Sequence, residues 1–463
     1  MSFLGAQNSI ALGVQGIIAI DTGVVGSADY LLAKSLRFRS SASAYLARTP
    51  ATATNQKTWT WSGWVKRGTL GTTQNLATVA NTGASLYFYL RFLSTDVLEV
   101  FTYNSAGSVF VWQLQTTQLF RDPAAWYHIV VATDTTQGTA SNRVKIYVNG
   151  AQITAFAIAT YPSASYDTVY NFNGASYVTS YLGAANFYDG ELAELNSVDG
   201  QALAPTAFGA SSIYNQWLPI KYAGTYGTNG FYLPFTNTAS TSTLVADSSG
   251  NANNWTPNNI SLTAGSTYDS LTDVPTLTSE TVANYAVLNP LTKTGSAVVI
   301  QDANLTFTKS GAAYYNYTYG TIGISSGKFY WEFTQGSTTD LIVGVSTLYA
   351  DGAAGPGTSA TSYIYMAYNG NKQNNGSSVA YGAAFLTLND VIGVALNMDA
   401  GTLTFYKNGV SQGQAYSGLS GTYFPYVGDQ GGQITLAYAN FGQRPFAYPT
   451  LPTGFLPLNT FNI

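Results

Sequence analysis

The chain has 463 residues, of which 46% are hydrophobic and 14% aromatic, enough to bury more than one core. Charged residues make up only 9% and sum to a formal charge of −4, which excludes the clustered Lys and Arg of a nucleic-acid-binding surface. Cysteine is absent, which excludes disulfides, thiolate metal sites and a cysteine nucleophile.

Residues 1–34 are apolar and Gly-rich, with Lys34 the first basic residue. No positive stretch precedes the apolar run, as a secretory signal requires, and Gln15 and Asp21 break the run into pieces too short to span a bilayer. The segment is expected to be an anchoring arm that docks on a partner, without membrane insertion.

Residues 35–210 read as strands. Ser35–Arg39, Trp59–Lys66, Leu86–Phe92, Val97–Tyr103, Val109–Gln115 and Trp126–Thr133 are bounded by Ser, Thr, Asn, Asp or Gly. Val144–Val148 then runs into Asn149-Gly150 and a returning strand, the signature of a type I′ hairpin, in which both turn residues take positive φ. Many short strands without a helical period predict an antiparallel β-sandwich. Three motifs in order, Trp126-Tyr-His-Ile-Val-Val-Ala-Thr-Asp134, Lys145-Ile-Tyr-Val-Asn-Gly150 and Asp189-Gly-Glu-Leu-Ala-Glu194, resemble the closing strands of a laminin-G-like jelly roll. That is the fold of concanavalin-A-like lectins and glucanases.

Residues 211–283 read as a connecting segment, with Phe231–Phe235 as an edge strand because Pro234 cannot donate to a ladder. Asp247–Trp255 is turn-rich and similar to the Asp-x-Ser-Gly-Asn opening of laminin-G-like domains. Asp247, Asn251 and Asn253 offer oxygens to Ca²⁺, but Asx turns account for them more simply, and no metal is expected.

Residues 284–450 form a second β-unit. Phe329, Trp331 and Phe333 alternate with Lys328, Tyr330 and Glu332; Leu341–Ser346 follows. Val391–Leu396, a turn at Asp399-Ala-Gly401, Leu403–Tyr406 and a second Asn-Gly turn at Asn408-Gly409 make a meander. With Tyr423–Val427 and Asn440–Phe446 this ordered set resembles a SPRY domain, a bent two-sheet sandwich that binds protein segments through loops at one edge. Residues 451–463 carry Pro452 and Pro457 and are expected to lie extended against a neighbour. The fold class expected is therefore all-β: two antiparallel, jelly-roll-like β-sandwiches in tandem behind an N-terminal arm.

Three places could carry chemistry. Asp189-x-Glu191-x-x-Glu194 has the spacing of the glucanase motif Glu-x-Asp-x-x-Glu, whose bulged strand sets an acid and a nucleophile on one face. An aspartate stands where the nucleophilic glutamate belongs, so no catalytic residue is assigned. His128 is the single histidine, lies in a strand pattern, and has no Gly-x-Ser-x-Gly elbow to serve. Asp351–Gly357 is Gly-rich but lacks the Lys and helix of a phosphate loop. For binding, Tyr363, Tyr365, Asn369, Asn371 and Asn374 offer aromatic area and hydrogen bonds to a glycan or peptide, while sheet packing and a turn explain the same residues without a ligand. No cofactor is expected.

The pairing of these modules, without cysteines and with few charges, resembles bacteriophage virion proteins, most closely over Ser35–Phe38, Lys57–Arg67 and Asp247–Asn259. The resemblance implies a non-enzymatic virion protein, a tail fibre, spike or capsid decoration, whose lectin-like domains attach to a host-surface glycan or protein. It would contact other virion proteins through residues 1–34, form a homo-oligomer such as a trimer, assemble in the host cytoplasm and act extracellularly. A virion-associated polysaccharide depolymerase and a bacterial surface adhesin are the alternatives.

Overall fold

A computed structural model describes residues 30–311, 316–338, 340–429, 431 and 434–463. All but the last five residues of the expected N-terminal arm lie outside the described residues. Two antiparallel β-sandwiches follow one another.

The first sandwich has two sheets. One runs in the order Ala151–Gln152, Val144–Val148, Trp126–Asp134, Thr58–Arg67, Gly190–Asp199, Ser35–Phe38, Ser270–Leu271. The free edge of Gly190–Asp199 is shared, because Phe231–Leu233 pairs with Leu195–Ser197 beside Ser35–Phe38. The opposing sheet runs Phe156–Thr160, Val109–Leu119, Val97–Asn104, Leu86–Phe92, Gln74–Asn81, Ser176–Val178, Tyr45–Arg48, Thr256–Asn258. Segment 211–283, read as a connector, thus supplies edge strands to both sheets. Period-two alternation puts Trp59, Trp61 and Val65 into the core with Phe88, Trp112 and Ile129, while Ser62, Trp64 and Lys66 face outward. Each large apolar side chain removed from water contributes roughly 1.5–3 kcal/mol, so this aromatic core carries the sandwich.

The second sandwich repeats the plan. One sheet runs Val298–Gln301, Thr306–Lys309, Thr435–Asn440, Lys328–Gln335, Val391–Asn397, Thr402–Lys407, Val410–Ser417, and Leu456–Pro457 adds in parallel to Lys328–Gln335. The other runs Tyr317–Tyr319, Phe424–Asp429, Leu341–Ser346, Ser362–Met366, Asn371–Asn374, Ser377–Ala380. Trp331, Phe329 and Phe333 fill the space between them with Val343, Leu403 and Phe405.

The two Asn-Gly hairpins share one local design. Asn149 and Gly150 have φ of 48° and 80°, Asn408 and Gly409 of 50° and 78°, as a type I′ turn requires. Asn149 Oδ1 accepts the His128 backbone N–H at 2.8 Å, and Asn408 Oδ1 accepts that of Val391 at 2.8 Å, so each turn also ties down a third chain segment. Both glycines are seats for an aromatic ring: a Cβ would lie 2.4 Å from Trp217 at Gly150 and 2.5 Å from Tyr448 at Gly409.

The sandwiches are joined through the outer face of the first sheet. Although charges are rare, many are buried here. Lys66 Nζ lies 2.6 Å from Asp273 and donates to Asn284 Oδ1 at 2.7 Å; Arg37 and Arg39 lie 3.0 and 2.9 Å from Asp269. From the second sandwich, Gln443 O accepts Thr272 N at 2.8 Å and Ile300 O accepts Thr69 Oγ1 at 3.1 Å. Buried pairs of this kind stabilise little in net terms, but removing one partner is costly, so they fix one arrangement.

Candidate functional site

The carboxylates of the glucanase-like motif sit at this junction. Glu194 lies at a bulge where the register against Thr58–Arg67 shifts, and its φ is 53°. The bulge turns Glu194 toward Tyr232 on the same outer face as Glu191, so the strand has the irregularity that the motif's chemistry needs. Access is what it lacks. Asp189 and Glu191 are fully buried and Glu194 is 4% exposed. Asp189 accepts Ser40 Oγ at 2.6 Å and the backbone N–H groups of Asp302 and Ala303 at 2.7 and 2.8 Å. Glu191 accepts Ser35 Oγ at 3.0 Å, and burial followed by the nearby Asp273 pushes its carboxyl well above the ordinary range. Glu194 accepts Tyr30 Oη at 2.5 Å and Tyr232 Oη at 2.9 Å; burial raises it to about 7. No substrate reaches these oxygens, so the three carboxylates act as internal fasteners.

His128 also acquires a partner that spacing could not reveal. Its Nε2 lies 2.9 Å from Ser62 Oγ, the contact of a serine nucleophile with its base. Nδ1, however, accepts the Trp217 indole N–H at 2.9 Å, where a triad needs Nδ1–H donated to a carboxylate. The proton therefore resides on Nε2 and is donated to Ser62, the reverse of base catalysis. His128 is stacked on Trp64 with centroids 4.9 Å apart, and burial lowers its pKa to about 3. It is a neutral structural imidazole.

The Asp247 loop is closed in the same way. The Asp247 oxygens take up four donors, Tyr232 N, Ser249 N, Ser249 Oγ and Asn253 N, each at 2.8 Å. Asn251 and Asn253 direct their amide N–H groups at the Gly230 carbonyl. These are Asx-turn contacts, and the side chains present donors, not oxygens, toward the loop interior.

The five ligand-binding candidates are placed as follows. Tyr365 is fully buried and donates to Ala383 O; Tyr363 is half-buried and packs edge-on against Tyr416. Asn374 Nδ2 donates to Ala360 O and Ser362 O, both at 2.9 Å. Asn371 bonds Ser378 Oγ at 3.1 Å, and the exposed Asn369 accepts Asn371 N at 2.9 Å. The sequence reading brought together a sheet and a hairpin, with Asn369 the member facing water.

A neighbouring loop, residues 347–361, presents more. It lies over the outer face of its sheet, where Tyr317, Tyr319, Ile342, Ile364, Met366 and Tyr426 form a small cluster. Three tyrosine hydroxyls pin it: Tyr426 donates to Asp351 Oδ2 at 3.0 Å, Tyr317 to Gly352 O at 2.9 Å, and Tyr319 accepts Tyr349 N at 2.9 Å. Asp351 is itself buried and accepts Ser359 N at 2.9 Å. The pinning holds Tyr349 at φ 59°, a region unfavourable to residues other than Gly, with its side chain 62% exposed beside the 40% exposed Leu348. A strained backbone that displays an aromatic and a leucine is pre-organised for contact. The one sequence signal was Asp351 itself, an acid in an otherwise uncharged Gly-rich loop.

Two parts of the chain match known families. Residues 40–206 match the concanavalin A-like lectin/glucanases superfamily, and residues 328–441 match the SPRY domain. The chain carries a concanavalin A-like domain followed by a SPRY domain. Among curated relatives, Ran-binding protein 9 of Xenopus tropicalis is 34% identical over 132 residues, covering 27% of this chain and 24% of the relative. The Ran-binding proteins 9/10 homolog of Drosophila melanogaster is 38% identical over 96 residues, covering 20% and 10%. Ran-binding protein 10 of Danio rerio is 33% identical over 132 residues, covering 27% and 21%. The chain thus spans a quarter or less of the length of these relatives. Among solved structures, the SPRY domain of human HERC1 is similar at 21% identity, covering 33% of this chain and 96% of that one with a TM-score of 0.30. Stonustoxin is similar at 17% identity, covering 34% and 27%, with a TM-score of 0.29.

These relatives correct the functional expectation. They are eukaryotic cellular proteins, not virion components, which overturns the tail-fibre or capsid-decoration role, the virion localisation, and partners consisting of virion proteins and host-surface glycans. The virion resemblance rested on sparse charge, absent cysteine, a pairing of modules and the stretches Ser35–Phe38, Lys57–Arg67 and Asp247–Asn259; those stretches are strands and turns of the first sandwich and report its fold, not its origin.

Proposed function

We propose that the chain is a non-catalytic protein-interaction scaffold whose SPRY domain grips a protein segment at the Leu348–Tyr349 tip, with Asn369 a candidate polar contact elsewhere on the SPRY domain. The strained, pinned and exposed Tyr349 supports this reading most directly. An aromatic anchor fixed before binding costs little entropy to immobilise, the usual property of an interface hot spot. The burial of Asp189, Glu191 and Glu194 and the reversed hydrogen bond of His128 support a role without catalysis.

The relatives are named for binding Ran, so Ran is the first partner to test. With the full chain immobilised and purified Ran titrated by biolayer interferometry, saturable binding is expected. Tyr349→Ala should weaken it about tenfold or more, as loss of a hot spot does, at an unchanged melting temperature. Absence of binding rejects Ran as the partner, and unchanged affinity in Tyr349→Ala rejects the tip as the site.

A further inference from the structure

The concanavalin A-like domain holds a cavity between its two sheets, separate from the junction and from the SPRY tip. It contains about 420 Å³ of empty space with its open mouth included. Trp61, Tyr170 and Ser197 line it from within the core, with Val79 and Val178 from the opposing sheet, and half-buried Arg48 stands with Trp255 among its lining residues.

The hydrogen-bond inventory of this lining is one-sided. Trp61 and Trp255 are 1% and 6% exposed, and neither indole N–H has a partner. An indole nitrogen can only donate. Arg48 spends one N–H on Asn229 O at 3.1 Å and another on Asn253 Oδ1 at 2.6 Å, which leaves three of its five donors. Among the described residues no carboxylate lies within 4.0 Å of its guanidinium, and the neighbouring Asp247 is saturated by four donors. Tyr170 and Ser197 already satisfy each other at 2.8 Å. Thr78, Ser176, Asn171 and Asn229 also line it, and each of their side chains already donates to a protein partner, so the unspent groups are the two indole N–H and the remaining donors of Arg48, beside an apolar wall of Ala77, Val79, Val178 and Phe231.

We infer that this cavity binds a short monocarboxylate, its oxygens taking the Trp61 and Trp255 N–H groups and the free donors of Arg48, its alkyl chain lying against Val79 and Val178. The size follows from the space: the enclosed part has room for roughly two waters, the equivalent of a carboxylate group, so the chain that the group carries is short and lies in the open mouth. Leaving buried donors unpaired is costly and a charged acceptor satisfies them most strongly, so a carboxylate is favoured over a neutral group.

The test uses the full chain with its eight tryptophans ¹⁵N-labelled at the indole nitrogen, in a buffer free of carboxylates. Trp61→Phe and Trp255→Phe assign the two signals of interest, and the other six are internal controls. Titrated butyrate is expected to move those two signals saturably while 1-butanol and sodium chloride move neither. Arg48→Gln should weaken butyrate at least tenfold. If that variant fails to fold, Trp255→Phe, which keeps a ring and removes the donor, should weaken it several-fold at the Trp61 signal. Immobile signals, equal shifts with 1-butanol, or undiminished affinity in the variant that folds would each overturn the assignment and leave a cavity filled by water alone.

Discussion

Asp189 accepts the backbone N–H of Ala303 at 2.8 Å, so a carboxylate from the concanavalin A-like domain is seated in the backbone of the second sandwich. The seat is three consecutive left-handed residues, Asp302, Ala303 and Asn304, with φ of 59°, 62° and 58°. Such a run costs roughly 1–3 kcal/mol per residue, and it turns successive N–H groups toward one point where an anion can satisfy them. Asp302 is held in return by Ser41 Oγ at 2.7 Å.

Removing the anion should therefore uncouple the sandwiches. Wild-type chain is expected to melt in a single calorimetric transition. Asp189→Ala leaves the Asp302 and Ala303 N–H groups buried and unpaired and should cost about 3 kcal/mol or more. Its endotherm should separate into two. A single, unshifted transition would mean that the remaining contacts suffice.

Glu194 makes stability depend on pH. Burial raises its pKa from 4.5 to about 7, so its contribution is complete below pH 4.5 and is lost as pH rises through 7. Urea denaturation should show wild type losing up to roughly 3 kcal/mol relative to Glu194→Gln across that interval. Parallel pH profiles for the two proteins would show that the carboxylate titrates normally.

His128 should remain neutral wherever the chain is folded. With its pKa lowered to about 3, its ring proton signals should not move between pH 8 and pH 5, where an ordinary histidine titrates. Trp217→Phe removes the donor to Nδ1 and should cost about 1–3 kcal/mol by leaving a buried acceptor unpaired. A midpoint near 6.5 in the wild type would show an accessible imidazole.

The glycines of the hairpins give an internal comparison. Gly409→Ala meets both a φ of 78° and a Tyr448 ring 2.5 Å from the new methyl, whereas Gly413→Ala, at φ 83°, meets open space. Both incur the backbone penalty of roughly 1–2 kcal/mol. The first should lose at least about 1 kcal/mol more in chemical denaturation, for the displaced ring. Equal losses would mean that Tyr448 yields freely.

These features differ in how far the sequence announces them. Alternation and turn chemistry are local, and Asn149-Gly150, Asn408-Gly409 and the Trp59–Trp61–Trp64 strand are legible because each is decided within about ten residues. The Asp302–Asn304 run has no such mark: the left-handed backbone of Asp, Ala and Asn is supported by Asp189, more than a hundred positions away, which takes up the N–H groups of Asp302 and Ala303. Glu191 and Glu194 carry a motif whose spacing is informative about the bulge and silent about access, since access is decided by what packs on the sheet from elsewhere. Tyr363 and Tyr365 fit a binding strip or a sheet equally well by pattern, and only burial separates the two. Tyr349 has no periodic signal at all; its exposure is imposed by three hydroxyls from strands that are distant in sequence.

The edges of the first sandwich bear on how it is made. Ser35 pairs with Leu271 and Tyr45 with Asn258, so strands from the start of the domain wait for partners more than two hundred positions later. Closing such loops is slow, because chain entropy is spent before the ladders return it. During that delay the flanks of Tyr45–Arg48 and Ser35–Phe38 are open ladders, and any fragment ending before residue 256 keeps them so. A domain boundary drawn at 206 or 210 would leave both of these seams without a partner.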